Sequence, residues 1–191
     1  KIIGVTLPSN LDRPLAQIFR NNLKNTWISR LPVVCIPTTS GTGAEVTPFA
    51  TAWDSKDQKK YSVTGVEVYP TYALLDPELT LSLPKDDTLY TSLDAISHGL
   101  ESLWNRNRTS LSSAFSMQAL SLAVEALPVI LSQPENLEKR GQMQQASMLA
   151  GMAISQTRTA IAHSISYPLT IHFGVPHGLA CSFTLRELLK N

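Results

Sequence analysis

The chain has 191 residues, of which 43% are hydrophobic and 16% charged, enough to bury one large core or two small ones. Its net charge of +1, with sixteen lysines and arginines scattered along it, gives no electrostatic case for nucleic acid or an anionic membrane. No uninterrupted apolar run is long enough to span a membrane and KIIGVTLPSN has no signal-peptide pattern, so the expectations are a cytoplasmic address, a small-molecule ligand and a homo-oligomer.

Up to Pro84, prolines recur, and short β-branched or aromatic runs (LPVVCIPTT, TPFATAW, KYSVTGVEV, YALLD) are bounded by turn residues, which predicts strands. Beyond Pro84 the chain turns rich in Ala, Ser, Leu and Met. Apolar residues recur there at three and four, as in Leu89, Leu93, Ile96, Leu100 and Leu103, which predicts helices. These are expected over about 87–104, 110–132, 135–156, 160–167 and 176–190. Pro128 should kink or end the second, and Pro168 should end the fourth. Ser132 is the expected N-cap of the third, with Pro134 and Glu135 in its first turn. Cys35 and Cys181, without CxxC spacing, are expected as buried reduced thiols. The plan is an α/β part over 1–83 and an all-helical part over 84–191, with ligands in the cleft between them.

Three of the four histidines fall within AIAHSISYPLTIHFGVPHG, residues 160–178. The fourth, His98, follows Asp94 by four residues in SLDAISHGLES, so on a helix the two side chains share a face one turn apart. Such a pair is also an ordinary feature of helix surfaces, and corroboration has to come from elsewhere. His163 precedes a predicted helix end at Pro168, and His177 follows Pro176, which suits the first turn of a new helix. A histidine in a first turn faces the positive end of the helix dipole, which favours the neutral imidazole that a metal requires. Any one of these histidines reads as a core residue satisfied by backbone carbonyls; three with an aspartate read as a ligand set for Fe²⁺ or Zn²⁺.

PTTSGTGAE (37–45) follows an apolar strand and carries two glycines among three threonines and a serine. Such a loop can bring free backbone N–H groups close to a pyrophosphate, although it matches neither GxGxxG nor GxxxxGK[ST] and also reads as an ordinary turn.

Taken in order, PTTSGTGAEVT, ALLDPELTLSLP, SLDAISHGLES, AIAHSISYPL and VPHGLACSF resemble the iron-containing (group III) alcohol dehydrogenase family, over about residues 32–185. The resemblance implies the dehydroquinate synthase-like architecture: the C-terminal half of a nucleotide-binding α/β domain, then an all-α metal-binding domain. It implies metal ligation by Asp94, His98, His163 and His177. It further implies NAD or NADP contacts from Thr38, Thr39, Thr42, Thr47 and Phe49, with Lys60 and Leu79 beside the cofactor. Without the resemblance, Lys60 is a solvated strand-end charge and Leu79 a packing residue. Its implied activity is NAD(P)-linked reduction of a small aldehyde, or oxidation of the alcohol, with the branch that reduces phosphonoacetaldehyde as a near likeness.

There are two departures from the family pattern. Many members carry a second histidine four residues after the one matching His163, as a proton relay; here that position is Tyr167, a poorer relay, and His172 is the expected substitute if its loop folds back. The family's N-terminal GGGS-type phosphate loop has no counterpart, so the chain is expected to be a central piece of a longer enzyme. Alternative readings are a catalytically inactive metal- or cofactor-binding fragment and a dehydroquinate-synthase-like lyase. A metal-dependent hydrolase would need Glu101 as its water-activating carboxylate, whereas the plainer expectation for Glu101 is a helix-surface charge.

Overall fold

The computed structural model describes residues 1–8, 29–54 and 59–190. A short helix α1 (Ile2–Thr6) opens the α/β part. Strand β1 (Val34–Cys35) pairs in parallel with β4 (Tyr72–Ala73), and β2 (Phe49–Asp54) pairs antiparallel with β3 (Lys59–Thr64), Phe49 opposite Thr64 and Asp54 opposite Lys59. The hairpin strands hold the aromatic and β-branched residues that suit a pleated surface. Val63 packs from β3 against Val5 and Val68, all buried, in a small core of their own. Two predicted strands shrink to these two-residue pairings, because LPVVCIPTT is flanked by prolines that cannot donate to a ladder.

The helical part begins with α2 (Lys85–Trp104), followed by α3 (Ser110–Ser132), α4 (Leu137–Thr157), α5 (Ile161–Phe173), α6 (His177–Ser182) and α7 (Leu185–Leu188). Thr109 and Ser112 start α3 with a reciprocal cap: Thr109 Oγ1 accepts from the Ser112 amide at 3.0 Å, and Ser112 Oγ accepts from the Thr109 amide at 2.9 Å. By length and composition α3 could cross a membrane, with an 18-residue mean hydropathy of 1.7. It nevertheless supplies Ala123, Ala126 and Ile130 to a core shared with Ala95, Met143 and Ala146. Alanines at these contacts let the helices approach closely, and full burial of Ile130 or Met143 contributes about 1.5–3 kcal/mol each.

Pro128 lies inside α3, which runs on to Ser132 rather than ending at the proline. Three expectations need correcting. The N-cap of α4 is Asn136, whose side chain accepts from the Lys139 amide at 3.1 Å; Ser132 is the last residue of α3, and Pro134 and Glu135 lie in the connection. Pro168 is interior to α5, because it and Ser164, whose carbonyl loses its amide partner, are both on the exposed side. The helix stops instead at Gly174, left-handed at φ +68°, where the Val175 amide reaches back to the Leu169 carbonyl at 3.3 Å. The predicted 176–190 helix is broken into α6 and α7.

Two of the contacts that join the parts involve α4. Gln144, buried on α4, donates to the carbonyls of Pro37 at 3.3 Å and Asp76 at 3.4 Å. Gly43, left-handed at φ +56°, lies against Gly151 of α4 so closely that a Cβ on Gly43 would stand 2.5 Å from the Gly151 Cα. The threonine loop is thereby seated on the helical part.

Candidate metal centre

Asp94, His98 and Glu101 lie on one face of α2, and all three are buried, Glu101 at 0% exposure. His163 enters from the first turn of α5 and His177 is the first residue of α6. What lets α6 approach is Gly178: a Cβ there would lie 1.8 Å from the Tyr90 carbonyl oxygen of α2. Glycine is the side chain that fits this contact.

The three imidazoles converge on one atom. Asp94 Oδ1 is 3.3 Å from His163 Nε2, 3.6 Å from His98 Nε2 and 3.9 Å from His177 Nε2. The His98 and His163 rings stack with centroids 4.6 Å apart. Two of the imidazoles have their other nitrogen engaged. Glu101 accepts from His163 Nδ1, and Ser166 Oγ, which donates to the His163 carbonyl at 2.8 Å, accepts from His177 Nδ1 at 3.3 Å. With its proton on Nδ1, the neutral form of each ring turns an Nε2 lone pair towards Asp94.

The electrostatics differ from group to group. Burial raises the Asp94 carboxyl, but the surrounding imidazoles outweigh it and hold the group far below the ordinary carboxylate range. Burial, helped by His163 and His177, pushes His98 down to about 4 against the pull of Asp94. His163 is the opposite case: burial lowers it, yet the nearby Asp94, Cys181 and Glu101 raise it well above the ordinary value. Burial likewise raises Glu101, and the His163 hydrogen bond more than reverses that.

Asp94 Oδ1 and His163 Nε2 are buried without a hydrogen-bond partner. Unsatisfied buried polar atoms of this kind are rare and costly, and a cation between them would satisfy both. Donor atoms in a four-coordinate shell, with bonds of about 2.0–2.3 Å, stand roughly 3.3–3.7 Å apart, so the separations to His163 and His98, 3.3 and 3.6 Å, fit an ion, and that to His177, 3.9 Å, is slightly longer. The Cys181 sulfur extends the group: donor atoms of Asp94, His163, His177 and Cys181 all lie within 4.8 Å of one another.

A cleft of about 480 Å³ opens over these side chains, lined by Thr42, Thr47, Phe49 and Lys60 on one wall and by Asp94, His98, His163 and His177 on the other. Thr38, Thr39 and Leu79 lie outside its lining, and Leu79 is 44% exposed on the Pro77–Thr80 turn. Tyr167 lines the cleft, with Lys60 Nζ 3.6 Å above its ring. His172 is exposed, because α5 runs unbroken through it and places it about two and a half turns from His163, on the opposite side. The fold-back expected of it does not occur.

Three contributions escaped the sequence reading. Glu101 is neither a surface charge nor a free base: it holds the His163 ring and accepts from the Ala162 and His163 amides at 2.6 and 3.3 Å. Its spacing from Asp94 and His98, seven and three residues, was the available signal. Ser166, one turn after His163, offered a similar one. Arg158, which lines the cleft near Phe49, is the one non-glycine with positive φ among the described residues, at 68°, and nothing in the sequence marked it.

The family model for the Fe-containing alcohol dehydrogenase family, C-terminal, matches residues 88–191, and that for iron-containing alcohol dehydrogenase matches residues 1–77. The phosphonoacetaldehyde reductase of Streptomyces viridochromogenes is 42% identical over 158 residues, which are 83% of this chain and 40% of that protein. Among solved structures, the sulfoacetaldehyde reductase of Bifidobacterium kashiwanohense in complex with NAD⁺ superposes with a TM-score of 0.89 at 33% identity, covering 94% of this chain and 48% of that one. An iron-containing alcohol dehydrogenase of Thermotoga maritima gives 0.85 at 38% identity, covering 98% and 50%. The chain thus spans half, or less, of the length of these relatives. It belongs to the iron-containing alcohol dehydrogenase family.

Proposed function

We propose that the chain carries the metal centre and half of the cofactor cleft of an NAD(P)-linked reductase of small aldehydes, in which Asp94, His98, His163 and His177 hold Fe²⁺ or Zn²⁺. The observation that carries this reading is the convergence of three Nε2 atoms on Asp94 Oδ1 at the floor of a cleft. A bound divalent metal would supply Lewis acidity towards a carbonyl oxygen.

The chain's own residues do the rest. Glu101 and Ser166 hold the Nδ1 sides of His163 and His177, so each ring is already turned with Nε2 towards Asp94 for ligation. Thr42, Thr47 and Phe49 form the wall along which a nicotinamide would lie, and Lys60, with Arg158 at the rim, gives that wall a positive charge suited to phosphates or to an aldehyde bearing an anionic group. Thr38, Thr39 and Leu79, outside the cleft, suit the more distal portion of the dinucleotide. The half-buried Tyr167, between Lys60 and His177, packs where a substrate carbon chain would pass.

The test is oxidation of NADH and NADPH with short aldehydes, neutral and anionic, after loading with Fe²⁺ or Zn²⁺. It is run on the 191-residue chain and on a longer polypeptide containing it, beside elemental analysis. Stoichiometric metal without aldehyde-dependent oxidation in either would leave a binding fragment. Turnover without net consumption of added nicotinamide would leave a lyase.

A further inference from the structure

Cys181 is the soft donor beside the carboxylate and imidazoles of the centre. It is 0% exposed, one turn after His177 on α6, and its Sγ lies 3.8 Å from His177 Nε2. The Gly178 contact that presses α6 onto α2 therefore carries the thiol inward together with His177. Its sulfur and one donor atom each of Asp94, His163 and His177 form the mutually close set, and in that set Asp94 Oδ1 and His163 Nε2 are buried without a hydrogen-bond partner. Asp94 and His163 are 5% and 2% exposed. In a four-coordinate shell a nitrogen and a sulfur are roughly 3.6 Å apart, close to the separation seen.

The geometry points to Cys181 as a further, sulfur donor to the ion held by Asp94, His98, His163 and His177, which turns a centre of one carboxylate and three imidazoles into one that favours a softer divalent ion such as Zn²⁺ or Co²⁺. This rests on the metal-centre reading above. On binding, the thiol proton leaves to solvent and a sulfur lone pair takes the ion, with no change in oxidation state. A thiolate ligand selects zinc over harder ions, whereas the oxygen and nitrogen donors alone discriminate less.

The experiment loads the 191-residue chain with Co²⁺ and records its absorption, for the parent, Cys181→Ser and Cys35→Ser. Cys35 lies in β1 and serves as the control thiol. The expected result is one cobalt per chain, with a near-ultraviolet sulfur-to-cobalt band in the parent and in Cys35→Ser that is lost in Cys181→Ser. The ratio of Zn²⁺ to Mn²⁺ affinity should also fall by about tenfold or more in Cys181→Ser. Zinc-edge X-ray absorption of the parent needs no variant and should show a sulfur at about 2.3 Å beside nitrogen and oxygen at about 2.0–2.1 Å. Bound cobalt without the band, a band that survives Cys181→Ser, or a zinc shell of nitrogen and oxygen alone overturns the sulfur assignment and leaves the metal centre standing. Absence of bound metal in the parent overturns both.

Discussion

Replacing Glu101 by Gln tests whether the orientation of His163 is imposed from outside the ligand set. The substitution keeps the volume of a residue that is 0% exposed, and the amide oxygen can still accept from the Ala162 amide as the carboxylate does at 2.6 Å. The amide nitrogen, however, then faces His163 Nδ1 as a donor. Two donors cannot share that contact, so the imidazole gives up its Nδ1 proton and carries one on Nε2, the atom 3.3 Å from Asp94 Oδ1. A protonated Nε2 has no lone pair for an ion. Losing one hydrogen bond to a charged group costs about 1.5–3 kcal/mol. That agrees with the roughly 10–100-fold loss of affinity seen when a carboxylate behind a ligating histidine is removed. We expect Zn²⁺ affinity, measured by competition with a chelator, to fall by that factor while far-ultraviolet circular dichroism and Tm stay near the parent. Glu101→Ala should also lower Tm, because the Ala162 and His163 amides at the start of α5 lose their acceptor, at about 1–3 kcal/mol for each buried group. A Gln variant that binds zinc within twofold of the parent would refute the reasoning.

Three further outcomes follow from the same geometry. Gly178→Ala places a methyl 1.8 Å from the Tyr90 carbonyl oxygen, so α6 must move off α2; zinc binding should be lost and Tm lowered by an overpacking cost of about 1–3 kcal/mol, read by chelator competition and thermal melting. Gly151→Ala pushes against the Gly43 Cα at 2.8 Å and should weaken NAD(P)H binding, followed by nicotinamide fluorescence, while leaving zinc affinity nearly unchanged. Zinc binding near pH 7 should release protons: His163, raised by its carboxylate partners, still holds a proton there that the ion must displace, whereas His98, at about 4, is already neutral. Affinity should therefore rise with pH until His163 has lost its proton, and calorimetry in buffers of different ionisation enthalpy should count about one proton from that residue.

What the sequence made legible, and what it hid, divides along a physical line. The period of the apolar residues located α2 and α3 closely, since a helix that buries one face must repeat its pattern. Asp94 and His98 were readable as a pair because a helix brings residues four apart together without help from any other element. The strands were overestimated because a β-branched run says what would fit a sheet and nothing about whether a neighbouring strand is there to pair with. Pro168 misled for a related reason: the Ser164 carbonyl that it leaves unpaired is on the exposed side of the helix and open to solvent, and the sequence does not say which side faces out.

Glu101 was the harder case, since local sequence makes a glutamate one turn past a histidine look solvated, and its burial depends on α5 arriving over it. The arrival is itself determined by the site. The amides of Ala162 and His163, left open because Ala160 offers no side-chain cap, find their acceptor in Glu101, and the same carboxylate turns His163 towards Asp94. Capping α5 and preparing the ligand are thus one interaction. A substitution that removes the charge but keeps the cap separates them, as Glu101→Gln is designed to do: metal affinity should fall while the helix holds.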